Sequence, residues 1–343
     1  MKTILITGGA GFIGSNFVRY LYQNYPDYCL LVLDALTYAG NIQNSPDGAL
    51  GTDHYEFWYG DIRNAELVNT LVERSDIVVH MAAETHVTRS IYDNRLFFET
   101  DVLGTQTIAN AVAKHRDRVE LFVHISTSEV YGTAVSLKMD EDHPLNPMSP
   151  YASAKCGADR LVYSYWATYG IPAVIVRPFN NYGPYQHLEK AIPRFITSCI
   201  LGEPLRVHGD GSAARDWLFV QDHCDMLGKL IHAPREGIIG QVINVGTGQH
   251  RSVLEVAEKV RELMGNPAES PIQFIGDRPG QVFRHTCDAS KAKQLLDWEP
   301  KIEFEEALQT TIRWYQANRS WWAPQMWMRH IPIISAANKK EMH

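Results

Sequence analysis

An α/β fold, a doubly wound parallel sheet with a smaller α/β substrate-binding lobe, is what this sequence predicts, on three observations. Apolar runs recur along the chain with helical stretches between them. The runs are continuous rather than alternating, as in strands covered on both faces. A glycine-rich turn, TGGAGFIG, joins the first run to the first helix, the arrangement that opens a Rossmann-type β-α-β unit.

Taken in order, the expected strands are TILIT (3–7), LLVLD (30–34), DIVVH (76–80), LFVHIS (121–126), AVIVRP (173–178) and VINVG (242–246). Helices are expected to begin near Gly14, Asn64, Asp101 and Tyr151. After Pro178 the segment NNYGPYQHLEK is turn-rich, an amphipathic stretch follows around Ile192 to Leu201, and VINVG returns to the first sheet. The predicted division is a dinucleotide-binding domain over 1–181, rejoined by about 218–248, then a second lobe over the rest of 182–323. Residues 324–343 form a C-terminal tail, polar at its end.

At 343 residues the chain has the length of roughly two domains, and 45% hydrophobic with 21% charged residues suits a globular protein. A net charge of −7 carries no electrostatic footprint for nucleic acid, so an anionic ligand must be held by local features. The cysteines, Cys29, Cys156, Cys199, Cys224 and Cys287, are scattered, with no CxxC pair or Cys/His ligand spacing; a reduced, cytoplasmic setting without a metal is expected. The N-terminal apolar run is too short for a signal peptide and no segment approaches membrane-spanning length, so no membrane partner is expected.

Gly8, Gly11 and Gly14, with Phe12 and Ile13 among them, bring backbone N–H groups and the positive end of a helix dipole to a pyrophosphate. Asp34 ends the next strand about twenty residues on, where a carboxylate bonds the adenosine ribose hydroxyls and repels a 2′-phosphate. NAD is therefore predicted over NADP. GDI puts Asp61 and Ile62 near the adenine edge, with an ordinary helix N-cap as the equal alternative for Asp61. MAAET puts the small Ala82 and Ala83 at a strand end, where they allow close approach.

YASAK places Tyr151 and Lys155 at i and i+4 on one helical face. A fixed ammonium beside a phenol stabilises the phenolate, so the Tyr151 pKa is expected to fall below the free value of about 10 and the residue becomes a candidate base for an alcohol. ISTSEVYG supplies Thr127, Ser128 and Glu129 at a strand end, where a doubly wound fold binds its ligands.

With those residues in hand, the chain resembles the extended short-chain dehydrogenase/reductase family over nearly its whole length, and within it the nucleotide-sugar 4,6-dehydratases. The motifs that carry this are TGGAGFIG, LDALTYAGN, GDIR, AAETHVTRSI, ISTSEVYG, SPYASAK, RPFNNYGPYQHLEKAIP, HGDGSAARDWLFVQDHC, DRPGQ and WYQANRSWW. LTYAGN and NNYGPYQHLEK most resemble the dTDP-glucose branch. The resemblance implies that Tyr151 takes the proton of the sugar 4-hydroxyl, Thr127 orients that oxygen, Lys155 biases Tyr151 and binds the nicotinamide ribose, and NAD accepts the C4 hydride. Glu129 then removes the C5 proton, water leaves from C6, and the hydride returns to C6, giving a 4-keto-6-deoxy sugar nucleotide.

The dTDP-glucose branch usually has aspartate where this chain has Ser128. Dehydratases of GDP-mannose and UDP-N-acetylglucosamine share the TSE arrangement, which implies that Glu129 carries its C5 proton across to the C6 oxygen with a hydrogen bond supplied by Ser128. UDP-N-acetylglucosamine thus joins dTDP-glucose as an expected substrate. The resemblance also implies that Asn181, Lys190, Arg215, Asn244 and Arg278 contact the nucleotide diphosphate or base and that Glu84 and Thr85 shape the sugar pocket. Gln281 stands where that branch commonly has histidine, and for His86 a structural role weighs equally.

A homodimer through a four-helix bundle is implied as well, supported by apolar residues on more than one face of two helices: Val102, Ile108 and Val112, then Leu161, Val162, Tyr165 and Trp166. Two other enzymes on this scaffold, a UDP-sugar 4-epimerase and a UDP-glucuronate decarboxylase, begin with the same C4 oxidation. The first needs no base at Glu129, and the second needs a cationic pocket for a C6 carboxylate. A non-catalytic dinucleotide sensor has no use for Thr127, Glu129, Tyr151 and Lys155 together.

Overall fold

The computed structural model describes residues 2–265, 269–329, 332–334 and 340–342. The chain lays down β1 (Lys2–Thr7), β2 (Tyr28–Asp34), β3 (Tyr55–Tyr59), β4 (Ile77–His80), β5 (Leu121–Ile125) and β6 (Ala173–Pro178). It leaves through β7 (Asn180–Tyr182), β8 (Leu205–His208) and β9 (Ala214–Phe219), returns for β10 (Val242–Val245), and leaves again through β11 (His250–Ser252) and β12 (Ile272–Ile275). The main sheet runs β10-β6-β5-β4-β1-β2-β3, with every pairing parallel.

Burial on both faces explains the unbroken apolar runs. Ile4 and Ile6 of β1 pack with Phe17, Val18 and Leu21 of the helix Phe12–Asn24 and with Leu227 and Leu230 of Val220–His232. Leu5 points the other way, to Val68 of Ala65–Glu73, Ile108 of Thr105–Lys114 and Val162 of Pro150–Tyr169. Strand order reverses between β1 and β4, which opens a crevice at their carboxyl ends.

β3 is the main-sheet strand the apolar pattern misses. YEFWY is an edge strand with Tyr55 buried and Tyr59 exposed, so its hydrophobicity is neither continuous nor strictly alternating. Three of the expected helix starts, near Gly14, Asn64 and Tyr151, fall within about two residues of the observed ones, for local reasons. Gly11, extended, is the N-cap of Phe12–Asn24, and Ser149 caps Pro150–Tyr169 by accepting from Ala152 N at 3.1 Å. The start expected near Asp101 falls inside a continuous helical stretch, where Phe98–Gly104 is a π-helical widening between Arg95–Phe97 and Thr105–Lys114. That widening carries Asp101 in a buried position.

In the second lobe a three-stranded sheet, β11-β9-β7, and a parallel pair, β12 with β8, pack with the helices Ala191–Leu201, Val253–Met264 and Phe304–Ala317 around Phe195, Ile196, Val256, Val260, Leu308 and Ile312. The turn Ala323–Arg329 continues this packing, since Arg329 is buried and donates to Ser198 Oγ at 2.6 Å while pairing with Glu203 at 2.9 Å. The polar end of the tail falls largely outside the described residues. Among the described residues no helix is long and apolar enough to cross a membrane, and no His/Cys/Asp/Glu group is placed to hold a metal ion.

Candidate active site

A cleft at the carboxyl ends of the strands is lined by residues of the sheet and of the second lobe. At one end lies the glycine turn. Gly8 has φ +71°, and a Cβ there would sit 2.7 Å from the Ala82 backbone; one on Gly14 would sit 2.1 Å from the Gly8 carbonyl oxygen. Side chains are therefore excluded from the turn that opens the helix Phe12–Asn24, whose first N–H groups face the cleft end. Asp34 closes β2 with its carboxylate fixed, Oδ2 accepting from Ala10 N at 2.9 Å and Oδ1 from Leu36 N at 2.8 Å. Phe12, Ile13, Ile62, Ala82 and Ala83 complete this wall. Asn64, not Asp61, caps the helix that follows; Asp61 lies at the cleft rim in an ion pair with Arg63 at 2.7 Å.

Thr127, Ser128, Glu129, Tyr151 and Lys155 all line the same cleft. Thr127 is extended and caps the 3-10 turn Ser128–Tyr131, its hydroxyl accepting from Glu129 N at 3.2 Å. Burial pushes the Glu129 carboxyl up, but the groups around it, His285, Arg215, Arg278 and Lys190, outweigh burial and leave it below the usual carboxylate range. Burial holds His285 itself at about 4, so the imidazole is uncharged at neutral pH. Arg215 Nε stands 3.8 Å from Glu129 Oε1.

Tyr151 departs from the expected acidity. Burial pushes its phenol above the ordinary value, Asp101 and Glu129 add to that, and a hydrogen bond with Thr127 pulls the other way. Lys155 does not offset this: its ammonium donates to Ile125 O at 2.7 Å, and burial pulls its own pKa down although the Asp101 carboxyl pulls the other way. Burial raises Asp101 to about 7 despite Lys155, while Asp101 Oδ1 accepts from Glu84 N at 2.8 Å. Asp101 had no motif to mark it, since a lone aspartate in an apolar helix reads as an N-cap.

Another stretch of the cleft wall holds a group in which sequence reasoning passed over Tyr38 and Glu189. Tyr38 donates to Glu189 Oε1 at 3.1 Å, Glu189 Oε2 stands 3.3 Å from His86 Nε2, and Lys190 Nζ donates to Thr85 O at 2.8 Å while pairing with Glu189 at 3.0 Å. Burial pushes Glu189 up and Lys190 foremost pulls it down, to about 2. His86 both lines the cleft and caps the helix Val87–Tyr92, its Nδ1 accepting from Arg89 N. Glu84, Thr85, Asn181, Lys190, Arg215 and Arg278 are all in the lining. Gln281 orients Arg278 through a 2.9 Å bond from Nη2, and Arg278 Nε is buried with no hydrogen-bond partner among the described residues, a donor left for an anion.

Asn244 is not brought to the cleft. It is wholly buried behind it, accepting from Tyr131 Oη at 2.7 Å and donating to Met139 O at 3.0 Å. Tyr131 in turn accepts from Arg177, which is paired bidentately with Asp159. This network braces the turn that carries Glu129. Asn244→Leu is expected to cost about 1–3 kcal/mol of stability by stranding buried partners, read by urea unfolding, with substrate KM unchanged. A raised KM at full stability would instead return Asn244 to the ligand site.

The chain matches the model of the family described as GDP-mannose 4,6 dehydratase over residues 5–311. It is 47% identical to the low-salt glycan biosynthesis protein Agl12 of Haloferax volcanii over 91% of this chain and 98% of that one. A dTDP-glucose 4,6-dehydratase of Actinoplanes sp. is 41% identical, over 93% of this chain and 99% of that one. The crystal structure of DesIV, a dTDP-glucose 4,6-dehydratase of Streptomyces venezuelae with NAD bound, superposes with a TM-score of 0.89 at 40% identity, covering 94% of this chain and 99% of that one. Together with a glycine cradle, a strand-end Thr-Ser-Glu and a Tyr/Lys helix opening on one cleft, these matches show that the chain belongs to the nucleotide-sugar 4,6-dehydratases of the extended short-chain dehydrogenase/reductase family.

Proposed function

We propose that this chain is an NAD-dependent dTDP-glucose 4,6-dehydratase that forms the 4-keto-6-deoxy sugar nucleotide. The observation that carries the reading is Glu129 held ionised in the same cleft as Tyr151 and the glycine turn. The cofactor fits these residues: Gly8 and Gly14 allow the tight turn, closed against the Ala82 backbone, that presents the start of the helix Phe12–Asn24 to a pyrophosphate, and Asp34 is anchored at the ribose position. Bound NAD supplies a hydride acceptor and donor. Tyr151 takes the proton of the 4-hydroxyl, with Thr127 hydrogen-bonded to its phenol and the Lys155 ammonium fixed beneath on Ile125 O. Glu129 removes the C5 proton made acidic by the new ketone. Lys190, Arg215 and Arg278 face the anionic diphosphate.

A 4-epimerase has no use for a general base held ionised at Glu129, and this argues for elimination over isomerisation. The Actinoplanes and Streptomyces relatives named above speak for dTDP-glucose and none supports UDP-N-acetylglucosamine, so Ser128 does not by itself select the acetylated sugar. The test is a panel of dTDP-, UDP-, GDP- and CDP-hexoses with products identified by mass and NMR. Loss of one water from dTDP-glucose is expected; an isomer of unchanged mass would move the assignment to an epimerase.

The free thiols suit a reducing cytoplasm. Homodimerisation belongs to the proposal too, with some of the residues the sequence suggested removed. Ile108, Val112 and Val162 are spent on the sheet and Val102, Leu161, Tyr165 and Trp166 are half-buried, whereas Phe98, Leu103 and Tyr163 on the same two helices are exposed. Leu103→Glu is expected to halve the mass seen by light scattering, and a wild-type protein that is monomeric at every concentration would contradict the dimer.

A further inference from the structure

The serine at the position where an acid is usual has a partner that no motif announces. His285 is fully buried on the segment that runs beside β9, pinned by its own N–H to Ala214 O at 3.1 Å and by Ala214 N to Phe283 O at 2.8 Å. Its ring spans two groups of the catalytic turn. Nε2 lies 2.8 Å from Gly132 O, and Nδ1 lies 3.3 Å from Ser128 Oγ. A carbonyl oxygen only accepts, so the ring proton is on Nε2. Glu129, Arg215 and His143 are the titratable and charged groups that face the ring, and burial dominates them, leaving the imidazole neutral at pH 7. Nδ1 is then a bare acceptor, and the hydrogen bond has one possible direction: Ser128 Oγ–H donates to His285.

The direction matters because Ser128 lines the cleft and His285 lies behind it. With its proton drawn away from the cleft, the serine oxygen shows lone pairs to the ligand. We propose that His285 is a positioning residue that makes Ser128 an acceptor for the sugar 6-hydroxyl, so that Glu129, and not Ser128, protonates the departing C6 oxygen. This rests on the dehydratase reading above and reverses the direction of the Ser128 hydrogen bond expected from the sequence. The step balances on one group. The Glu129 carboxylate takes the C5 proton, the C5–H electron pair becomes the C5–C6 double bond as the C6–O bond breaks, and the Glu129 proton passes to the leaving oxygen, which departs as water. Glu129 is again a carboxylate, and the Ser128 proton never leaves.

The test follows absorbance of reduced NAD after rapid mixing of the holoenzyme with dTDP-glucose, its rise reading C4 oxidation and its decay reading elimination and hydride return. Ser128→Ala and His285→Phe should each leave the rise unchanged within about twofold and slow the decay about tenfold, the worth of one oriented hydrogen bond. The double variant should be no slower than either single, because both act through one hydroxyl. His285→Gln, whose amide can accept from Ser128 and donate to Gly132 O, should restore the decay. In the wild type the decay rate should hold constant as pH rises from about 6 to 9, since no imidazolium supplies the proton.

A loss of a hundredfold or more in Ser128→Ala, additive losses in the double variant, or a decay that slows as pH rises would overturn the inference. So would unaltered decay in Ser128→Ala and His285→Phe while dehydrated product still forms. Absence of any rise with every nucleotide sugar would instead sink the dehydratase reading itself, which keeps the two failures apart.

Discussion

Glu129→Gln, given dTDP-glucose, will reduce its bound NAD and then stall. The amide keeps the shape of the side chain but cannot take the C5 proton, and a positioned general base is worth a factor of about 10² to 10⁴. Reduced cofactor should accumulate to the level of active sites while dehydrated product falls by that factor, both read in one mixing experiment. Normal turnover would remove Glu129 from the mechanism. The same residue fixes the acid limb of the wild-type profile. His285, Arg215, Arg278 and Lys190 outweigh burial and keep its carboxyl below the usual range, so the base is already ionised at neutral pH, and elimination is lost only as pH falls through that lowered value.

Tyr151→Phe is expected to show the opposite phenotype, with no accumulation of reduced cofactor. Without a phenolic oxygen the 4-hydroxyl loses its positioned base, and oxidation should fall by about 10² to 10⁴. The pH dependence has the same sign as that of Glu129, since both act as bases, but lies at much higher pH because the two pKa values are shifted in opposite directions. Burial raises the Tyr151 phenol, so the wild-type oxidation rate should climb with pH through the alkaline range as phenolate becomes available. A Phe variant that reduces NAD at the wild-type rate would move the first proton transfer to another group. The pair of variants separates the two half-reactions, which no single loss of activity could do.

The parts legible in the sequence share one property: they are local. Continuous apolar runs reveal buried parallel strands because both faces of β1 are covered, and the glycine turn, Asp34 and the Tyr151/Lys155 pair are each marked by a short pattern of residues close in the chain. What escaped is non-local or depends on depth. β3 is an exposed edge whose mixed face hides it. Asp101 is reached only through a π widening that no periodicity marks. His285 meets Ser128 across 157 positions of chain, and Glu189 meets Tyr38 across 151. The expected acidity of Tyr151 failed for the same reason. Spacing put an ammonium on its helical face, but burial and the Ile125 carbonyl determine where that charge acts. Asn244 shows the converse error, a residue with a family pattern whose place here is the brace behind the catalytic turn.

Solvent exchange at a single carbon tests the whole account most directly. Turnover of dTDP-glucose in deuterium oxide, with the product examined by NMR and mass, should give a sugar short of one water and bearing one deuterium at C5, delivered as the hydride returns to C6. A product that keeps its C6 oxygen, or one dehydrated with its original hydrogen still at C5, would contradict the role assigned to Glu129.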